Sequence, residues 1–281
     1  MAKRYYNLEK ETKEYLKACE AKSIVNQTNI KTLNDFVINR KTRNLNTTFL
    51  ASSPIVLNGL VLWLDAGVSD SYPAGGTVWK DLAGSNNGTL TNGPTFSSAN
   101  GGSIVFDGSN DYATLGTPSL LNGVQVPLTI CMWAKANSFG TFNVLWSADK
   151  EVTGGGLYSM LRLDSGNLRY YTTNSSGEYQ SNGSPNLTPS INVWNFYAVT
   201  VLGTLSSPTV TLYLNKSSQT YSYSTLSSSP NLTVNFRIGT SERTNGEVWN
   251  GNISNAMWYN RALTPTEILQ NYNAMKGRFG L

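Results

Sequence analysis

The sequence predicts a mostly β protein, a sandwich or barrel that is preceded by a helical arm and closed by one short helix. From residue 55 onward, short runs rich in Val, Ile, Tyr, Phe and Trp alternate with turns such as AGG, GSNNG and TGGG, which is typical of all-β domains. Only 14% of the 281 residues are charged and 40% are apolar, a composition that suits strands joined by polar turns. The first fifty residues differ, because their apolar positions follow a helical period.

Eleven segments after residue 55 have the composition of strands. Alternation with a period of two is clearest between Thr209 and Leu214, where Val210, Leu212 and Leu214 fall on one face. The predicted strands are GLVLWLD, GSIVFDG, YATLG, LTICMWAKA, NVLWSAD, YSMLRLD, LRYYTTN, WNFYAVTVL, TVTLYLN, NFRIGT and ISNAMWYN.

Residues 1–45 are predicted to form a helical docking arm, and residues 46–55 a polar linker that ends near Pro54. Two short amphipathic helices cannot bury enough apolar surface to be stable alone. Their apolar stripes therefore need a partner, either the following domain or another chain, and a helix-in-groove contact would supply it. The predicted docking residues are Leu8, Leu16, Ile30, Leu33 and Val37.

The segment TPTEILQNYNAM predicts a helix near the C-terminus. Thr264 suits the N-cap, Pro265 the first helical position and Glu267 the third, which is a capping-box arrangement. We expect this helix to pack against the sandwich.

Charge and composition argue against several classes of protein. The first fifty residues carry ten Lys or Arg against five acidic residues, and the remainder eleven against twelve. Because the Lys and Glu of the arm are interspersed, they indicate a solvated helix face rather than a nucleic-acid site. We expect no secretory leader and no membrane span, since neither a short apolar leader core nor a long apolar run occurs. Cys19 and Cys131 are predicted to be buried thiols.

Three separated motifs occur in a familiar order: GLVLWLDAG with VWKDLAG, then GSIVFDGSNDYATLG, then GNISNAMWYNRALTPTEILQNY. Residues 56–281 resemble the laminin-G-like, concanavalin A-like lectin/glucanase superfamily through these motifs. The resemblance implies a jelly roll of two antiparallel sheets.

These motifs resemble modules of tailed-bacteriophage structural proteins in the form that they take here, which is LVLWLDA, WKDLAG and YNRALTPTEI. Residues 21–37 of the arm resemble helical segments of such proteins. The resemblance implies a non-enzymatic virion protein on the particle exterior, a head or neck decoration or a fibre-type protein. Other virion proteins would be its partners through the arm, and we expect a homo-oligomer, because surface parts follow the symmetry of their mounting site. The alternative is an adhesin that binds host-cell or mucosal glycans.

The stretch SIVFDGSNDYATLG places two aspartates in a turn between two strands. Asp107 and Asp111 are predicted to cap backbone amides there. Some laminin-G relatives bind calcium at a sandwich rim, so the alternative is a calcium site formed by Asp107, Asp111 and Asp149. Calcium needs six to eight oxygen ligands, and the chain has no dense run of carboxylates. We expect no cofactor.

We expect no enzymatic activity. Glycoside hydrolysis uses a pair of carboxylates, and no predicted strand carries such a pair, since Glu242 and Glu247 fall in predicted loops. The chain contains no histidine, which excludes histidine-based triads.

Aromatic residues are the candidate carbohydrate-binding positions. Tyr170, Tyr171 and Tyr179 lie among Ser, Thr and Asn, a mixture that suits adaptable recognition. Trp79 and Trp249 lie near predicted loops, where an exposed ring stacks on a sugar. The alternative is that both tryptophans belong to the scaffold, because their motifs recur as scaffold in the family that the chain resembles.

Overall fold

The computed structural model describes residues 54–117, 127–149, 159–173, 179–181, 187–204, 207–222, 235–242 and 247–281. All of them belong to the unit Ser52–Leu281. The predicted arm lies outside the described residues, together with Leu8, Leu16, Ile30, Leu33 and Val37.

The described residues form sixteen strands and one α-helix. Each of the eleven predicted strand segments overlaps one of these strands, and the five that the sequence did not predict are β2, β3, β4, β11 and β14. The elements are β1 (Leu60–Asp65), β2 (Val78–Trp79), β3 (Gly88–Thr91), β4 (Thr95–Ser97), β5 (Ser103–Asp107), β6 (Tyr112–Gly116), β7 (Leu128–Ala136), β8 (Phe142–Asp149), β9 (Ser159–Asp164), β10 (Asn167–Thr173), β11 (Tyr179–Ser181), β12 (Asn195–Thr204), β13 (Ser207–Leu214), β14 (Ser217–Ser222), β15 (Asn235–Ile238), β16 (Asn250–Tyr259) and α1 (Pro265–Met275).

The strands form two antiparallel sheets, as the predicted sandwich requires. Sheet A has the order β14-β13-β12-β7-β16-β5-β4, and β1 also pairs with β16. β5 pairs with residues 250–253 of β16 and β1 pairs with residues 255–259. Sheet B has the order β11-β10-β9-β8-β15-β6-β3-β2.

The main hydrophobic core lies between the inner faces of the two sheets. The predicted alternation holds on β13, where Val210, Leu212 and Leu214 are buried and face this core. Sheet B contributes alternate residues of its strands, for example Leu161 and Leu163 of β9. The residues between them therefore point to the outer face of sheet B.

A second hydrophobic cluster covers the outer face of sheet A. Trp133 of β7 packs there against Tyr272 of α1, with ring centroids 5.4 Å apart, and against Phe279 of the following 3₁₀ helix, at 4.5 Å. Asn271 of α1 accepts a hydrogen bond from the backbone amide of Val56 and donates one to the hydroxyl of Tyr259. These polar contacts fix the position of the helix on the sheet.

The start of α1 confirms the predicted capping box. The hydroxyl of Thr264 accepts from the Glu267 amide, the Glu267 carboxylate accepts from the Thr264 amide, and Pro265 occupies the first turn. Arg261 adds a bidentate pair with Glu267, which is the largest cause that lowers the pKa of Glu267, to about 2.

A buried ion pair ties the C-terminus to sheet A. The Arg278 guanidinium lies 2.6 Å from the Asp65 carboxylate, and both side chains are less than 5% exposed. Arg278 also donates to the carbonyl oxygens of Asn100 and Gly101. We call this pair of Arg278 and Asp65 the C-terminal clamp. A Cβ on Gly67 would lie 2.2 Å from Nη2 of Arg278, so the clamp leaves no room for a side chain there.

Within the described segments, no helix is long and apolar enough to cross a membrane.

Candidate functional site on the outer face of sheet B

The structure contradicts three of the predicted carbohydrate-binding residues. Trp79, Tyr170 and Trp249 are each 0% exposed and belong to the core between the sheets. Tyr170 also shares a hydrogen bond with Ser159 inside the protein, and burial raises the pKa of Tyr170 to about 12. A fully buried ring has no face on which a sugar can stack, so these predictions were wrong and the scaffold interpretation holds.

The other two predicted tyrosines lie on sheet B. Tyr171 is half-buried and belongs to the outer face, because its neighbours Tyr170 and Thr172 point inward and are fully buried. Tyr179 pairs with Thr173 through the backbone of β11, and its side chain lies outside the described part of the structure.

The turn between β5 and β6 has the capping geometry that the sequence predicted. Oδ1 of Asp107 accepts from the amides of Ser109 and Asn110, and Oδ2 of Asp111 accepts from the amide of Asp107. The hydrogen bond from the Ser109 amide is the main cause that lowers the pKa of Asp107, whereas burial raises the pKa of Asp111.

Two of the predicted calcium ligands end strands of different sheets. Asp149 ends β8 of sheet B, whereas Asp107 ends β5 of sheet A. A search of the described segments finds no group of three His, Cys, Asp or Glu residues that could hold a metal ion. Calcium binding by Asp107, Asp111 and Asp149 remains a prediction.

Three arginines and three carboxylates lie on the outer face of sheet B. We call this surface the arginine face and define it by the following residues: Tyr112, Phe142, Arg162, Asp164, Arg169, Tyr171, Arg237, Glu242 and Glu247. The strand register places Arg162 opposite Arg169 and Val144, and places Arg237 opposite Ser147 and Thr114. In the described part of the chain, no helix packs on this face.

Arg162 lies at the centre of the arginine face. Its guanidinium carbon is 4.1 Å from the ring centroid of Phe142 and 4.1 Å from that of Tyr171, so the cation is held between two aromatic rings. Its Nε lies 2.6 Å from Oδ1 of Asp164 and its Nη1 lies 3.0 Å from Oε1 of Glu247. Burial acts to lower the pKa of Arg162, but the hydrogen bond and charge of Asp164, the hydrogen bond with Tyr171 and the charge of Glu247 outweigh it and raise that pKa.

Asp164 links Arg162 to the neighbouring strand. The Tyr171 hydroxyl donates to Oδ2 of Asp164, and Nε of Arg169 lies 3.4 Å from the same oxygen. Burial, followed by the hydrogen bond to Asp164, raises the pKa of Tyr171. The phenol therefore stays protonated and remains a donor near neutral pH.

A second arginine group lies across β8. Nη2 of Arg237 is 3.0 Å from Oε1 of Glu242, and Glu242 also accepts from the side-chain amide of Asn235. The Arg237 guanidinium carbon lies 4.9 Å from the ring centroid of Tyr112. Tyr112 and Arg237 are half-buried, so part of each side chain reaches solvent.

Sequence reasoning missed most of the arginine face, although part of it had a signal. In SMLRLD, the charged residues Arg162 and Asp164 alternate with Leu161 and Leu163, which predicts a charged outer face opposite an apolar inner one. Glu247 carries no comparable signal, because it lies between β15 and β16, 85 positions from Arg162.

Comparisons with known proteins agree with this lectin-like jelly roll. Residues 107–269 match the Laminin_G_3 model, described as the concanavalin A-like lectin/glucanases superfamily. Because the match covers more than half of the chain, the protein belongs to this family. No curated protein sequence matches the chain.

Solved structures share the fold at low sequence identity. Domain 4 of AbnA, a GH43 extracellular arabinanase from Geobacillus stearothermophilus solved in complex with arabinotriose, is 17% identical with a TM-score of 0.57, over 76% of this chain and 98% of that chain. Trypanosoma rangeli sialidase in complex with sialic acid is 15% identical with a TM-score of 0.59, over 89% of this chain and 39% of that one. The binding domain of botulinum neurotoxin serotype D is 14% identical with a TM-score of 0.55, over 77% and 52%. At these identities the similarity shows the fold alone, and the last two proteins are much longer than the part that matches.

Proposed function

We propose that residues 56–281 form a non-enzymatic glycan-binding domain whose binding surface is the arginine face. The observation that carries the proposal is the guanidinium of Arg162, fixed between Phe142 and Tyr171 on an outer face where no described helix packs. Sugars present apolar C–H faces together with hydroxyl groups. Half-buried tyrosines beside fixed arginines and carboxylates match both features.

The same geometry supports a binding role rather than a catalytic one. Glycoside hydrolysis requires two carboxyl groups on opposite sides of the scissile bond. Asp164 and Glu247 instead both bond to Arg162, whose guanidinium occupies the space between them.

A glycan array probed with the full chain tests the proposal. We expect the protein to bind at least one glycan class, and we expect Arg237→Lys to weaken that binding by about tenfold, because lysine lacks the planar guanidinium that lies over Tyr112. Arg261→Lys is the matched control, since Arg261 is also half-buried and paired with one glutamate, but beside α1. If the protein bound no glycan on the array, or if both substitutions weakened binding equally, the arginine face would not be the glycan-binding surface.

We also propose that the protein is mounted on the exterior of a tailed-bacteriophage particle as a homo-oligomer, with residues 1–45 contacting other virion proteins. The resemblance of its motifs to phage structural modules supports this, together with the unpartnered apolar stripes that the arm sequence predicts. Immunogold electron microscopy of particles is the test. We expect the antibody to label one repeated position on the particle, and we expect deletion of residues 1–50 to remove this label. Absence of label from intact particles would contradict the proposal.

A further inference from the structure

The strands at the edges of the two sheets differ in length. β2 has two residues, and β4 and β11 have three each. β14, at the edge of sheet A, has six residues and pairs with β13 in an unbroken register. Proteins discourage pairing between sheet edges with short strands, bulges, prolines and charged side chains. The sequence of β14, SSQTYS, carries neither a proline nor a charge, so this edge has none of these devices.

The backbone groups of Leu214, at the end of β13, point towards β14. The next residue, Asn215, donates from its amide to the carbonyl oxygen of Phe196 on β12, at 2.8 Å. In an antiparallel sheet, residues that bond to one neighbouring strand alternate with residues that bond to the other. Leu214 therefore bonds to its partner on β14, which is Ser217.

The same alternation determines which backbone groups of β14 face outward. Since Ser217 bonds to β13, the residues two and four positions further along also bond to β13. The residues between them turn both N–H and C=O to the outer edge, and these are Ser218, Thr220 and Ser222. All three are exposed. The hydroxyls of Thr220 and Thr211 lie 3.0 Å apart, as expected for an opposed pair without mutual backbone bonds, in which side chains lie closer.

We infer that two copies of the protein pair through β14, so that sheet A continues from one copy into the other. The inference deepens the proposed homo-oligomer and rests on that part of the proposed function. The partner is a second copy because β14 is self-complementary. A two-fold axis normal to the sheet keeps the outer faces of both copies on the same side. With this axis at Thr220, Thr220 lies opposite the partner's Thr220, and Ser218 lies opposite the partner's Ser222.

This register uses every outward-facing residue of β14. Each opposed pair exchanges two main-chain hydrogen bonds, about six in total. The side chains match as well, because Thr129, Thr200, Thr211 and Thr220 are successive partners across β7, β12, β13 and β14. Opposed threonines are favourable cross-strand pairs. Pairing of the two copies extends this row of threonines by the partner's Thr220.

The charge beside β14 does not oppose the pairing. Lys216 lies in the turn before the strand, four positions from Thr220. In the antiparallel pair, the two copies of Lys216 lie at opposite ends, about 26 Å apart along the strand direction. This separation exceeds the screening length at physiological ionic strength. The arginine face lies on the other sheet, so pairing through β14 does not use the proposed glycan-binding surface.

Sedimentation equilibrium of the full chain over a range of concentrations tests the inference. We expect the wild type to form a dimer and Thr220→Pro to weaken dimerisation by about thirtyfold, because each copy loses an N–H on the two-fold axis. Proline is tolerated on an edge strand when its missing N–H faces outward. Thr220→Ala is the matched control, since it keeps the N–H and should weaken dimerisation by less than about fivefold. Thermal unfolding checks that both variants fold.

The possible outcomes separate the interface from the rest of the proposed function. An oligomer that Thr220→Pro weakens no more than Thr220→Ala would overturn the β14 interface and leave the proposed homo-oligomer intact. A wild type that stays monomeric at every concentration would contradict both. Glycan binding is decided separately by the array, and we expect Thr220→Pro to leave the affinity for each glycan unchanged.

Amide hydrogen exchange identifies what covers the edge. We expect the amides of Ser218, Thr220 and Ser222 to exchange more slowly as the protein concentration rises, because a second copy then bonds to them. The amides of Gln219 and Tyr221, which bond to β13, are the internal control and should be protected at every concentration. Concentration-independent protection of the outward amides would show that another part of the same chain covers the edge. That result, or no protection of them at any concentration, would overturn the inference.

Discussion

The outer faces of the two sheets of this sandwich are used in opposite ways. On sheet A, the ring of Trp133 packs against Tyr272 and Phe279, and α1 with its 3₁₀ extension removes the face from solvent. On sheet B, aromatic rings pack against a cation, with Arg162 between Phe142 and Tyr171. The first arrangement gains its free energy from apolar burial, whereas the second holds largely buried charged groups in place, since the side chains of Arg162 and Glu247 are 10% and 11% exposed. The difference indicates that the covered face of sheet A contributes to stability, and it supports the proposal that the arginine face is the surface for recognition.

The largest expected effect is on the helix-covered face of sheet A. Trp133→Ala should lower the free energy of unfolding by about 4 kcal/mol, because it opens a cavity among Phe196, Tyr272 and Phe279. Chemical denaturation measures this loss, and glycan binding by the remaining folded protein should be unchanged. A loss below about 1 kcal/mol would mean that the packing of α1 contributes little to stability. The conclusion that the outer face of sheet A stabilises the fold would then be wrong.

The next effect concerns the clamp that holds the C-terminus to sheet A. Arg278→Ala should cost about 3 kcal/mol, because it leaves the Asp65 carboxylate buried without its partner. Thr266→Ala, at an exposed position of α1, is the control and should change stability by less than about 0.5 kcal/mol. Equal stability of the two variants would show that the clamp is not needed to hold the chain end.

A smaller effect is expected on the arginine face. Arg162→Lys keeps the positive charge but loses the planar group between Phe142 and Tyr171, so we expect a loss of about 1–2 kcal/mol in unfolding free energy. Glycan affinity should fall by at least tenfold, a larger change in function than in stability. If stability fell as far as in Trp133→Ala while binding stayed normal, the arginine face would be structural as well.

The smallest expected effect is the pH dependence of the free energy of unfolding that Glu267 causes at the start of α1. Because the pKa of Glu267 is lowered to about 2 in the folded protein, its contribution to stability is complete above the ordinary glutamate range, near pH 4.5, and disappears as the pH falls toward 2. Glu267→Gln should cost about 1 kcal/mol at pH 7 and progressively less below pH 4.5. Unfolding free energies at pH 7, 4.5 and 2.5 measure the trend, and a difference that does not change with pH would exclude the ionised pair with Arg261 as its cause.

Local patterns predicted much of the fold correctly. The capping box at Thr264 and Glu267 and the capping turn at Asp107 and Asp111 each depend on residues within four positions of one another. Such features form from short-range hydrogen bonds, so the sequence contains all the information that they need. The short edge strands were missed, because β2 and β4 have only two and three residues.

The candidate site was less predictable. Trp79 and Trp249 were candidates because they lie near predicted loops, and Tyr170 because polar residues surround it, but all three lie in the core. Alternation tells which residues share a face, but it does not tell which face is buried. The β-bulge between Val144 and Trp146 also shifts the register of β8, which a period of two does not anticipate.

The sequence by itself determined the class of the fold, most of the strands, the C-terminal helix and the family, because these depend on local patterns and ordered motifs. Only the tertiary structure decided that α1 covers sheet A and that the arginine face assembles on sheet B. The pair between Arg162 and Glu247 joins residues 85 positions apart, and the clamp between Asp65 and Arg278 joins residues 213 positions apart. Contacts of that range exist only after the two sheets have formed and packed, and the site that we propose is made of such contacts.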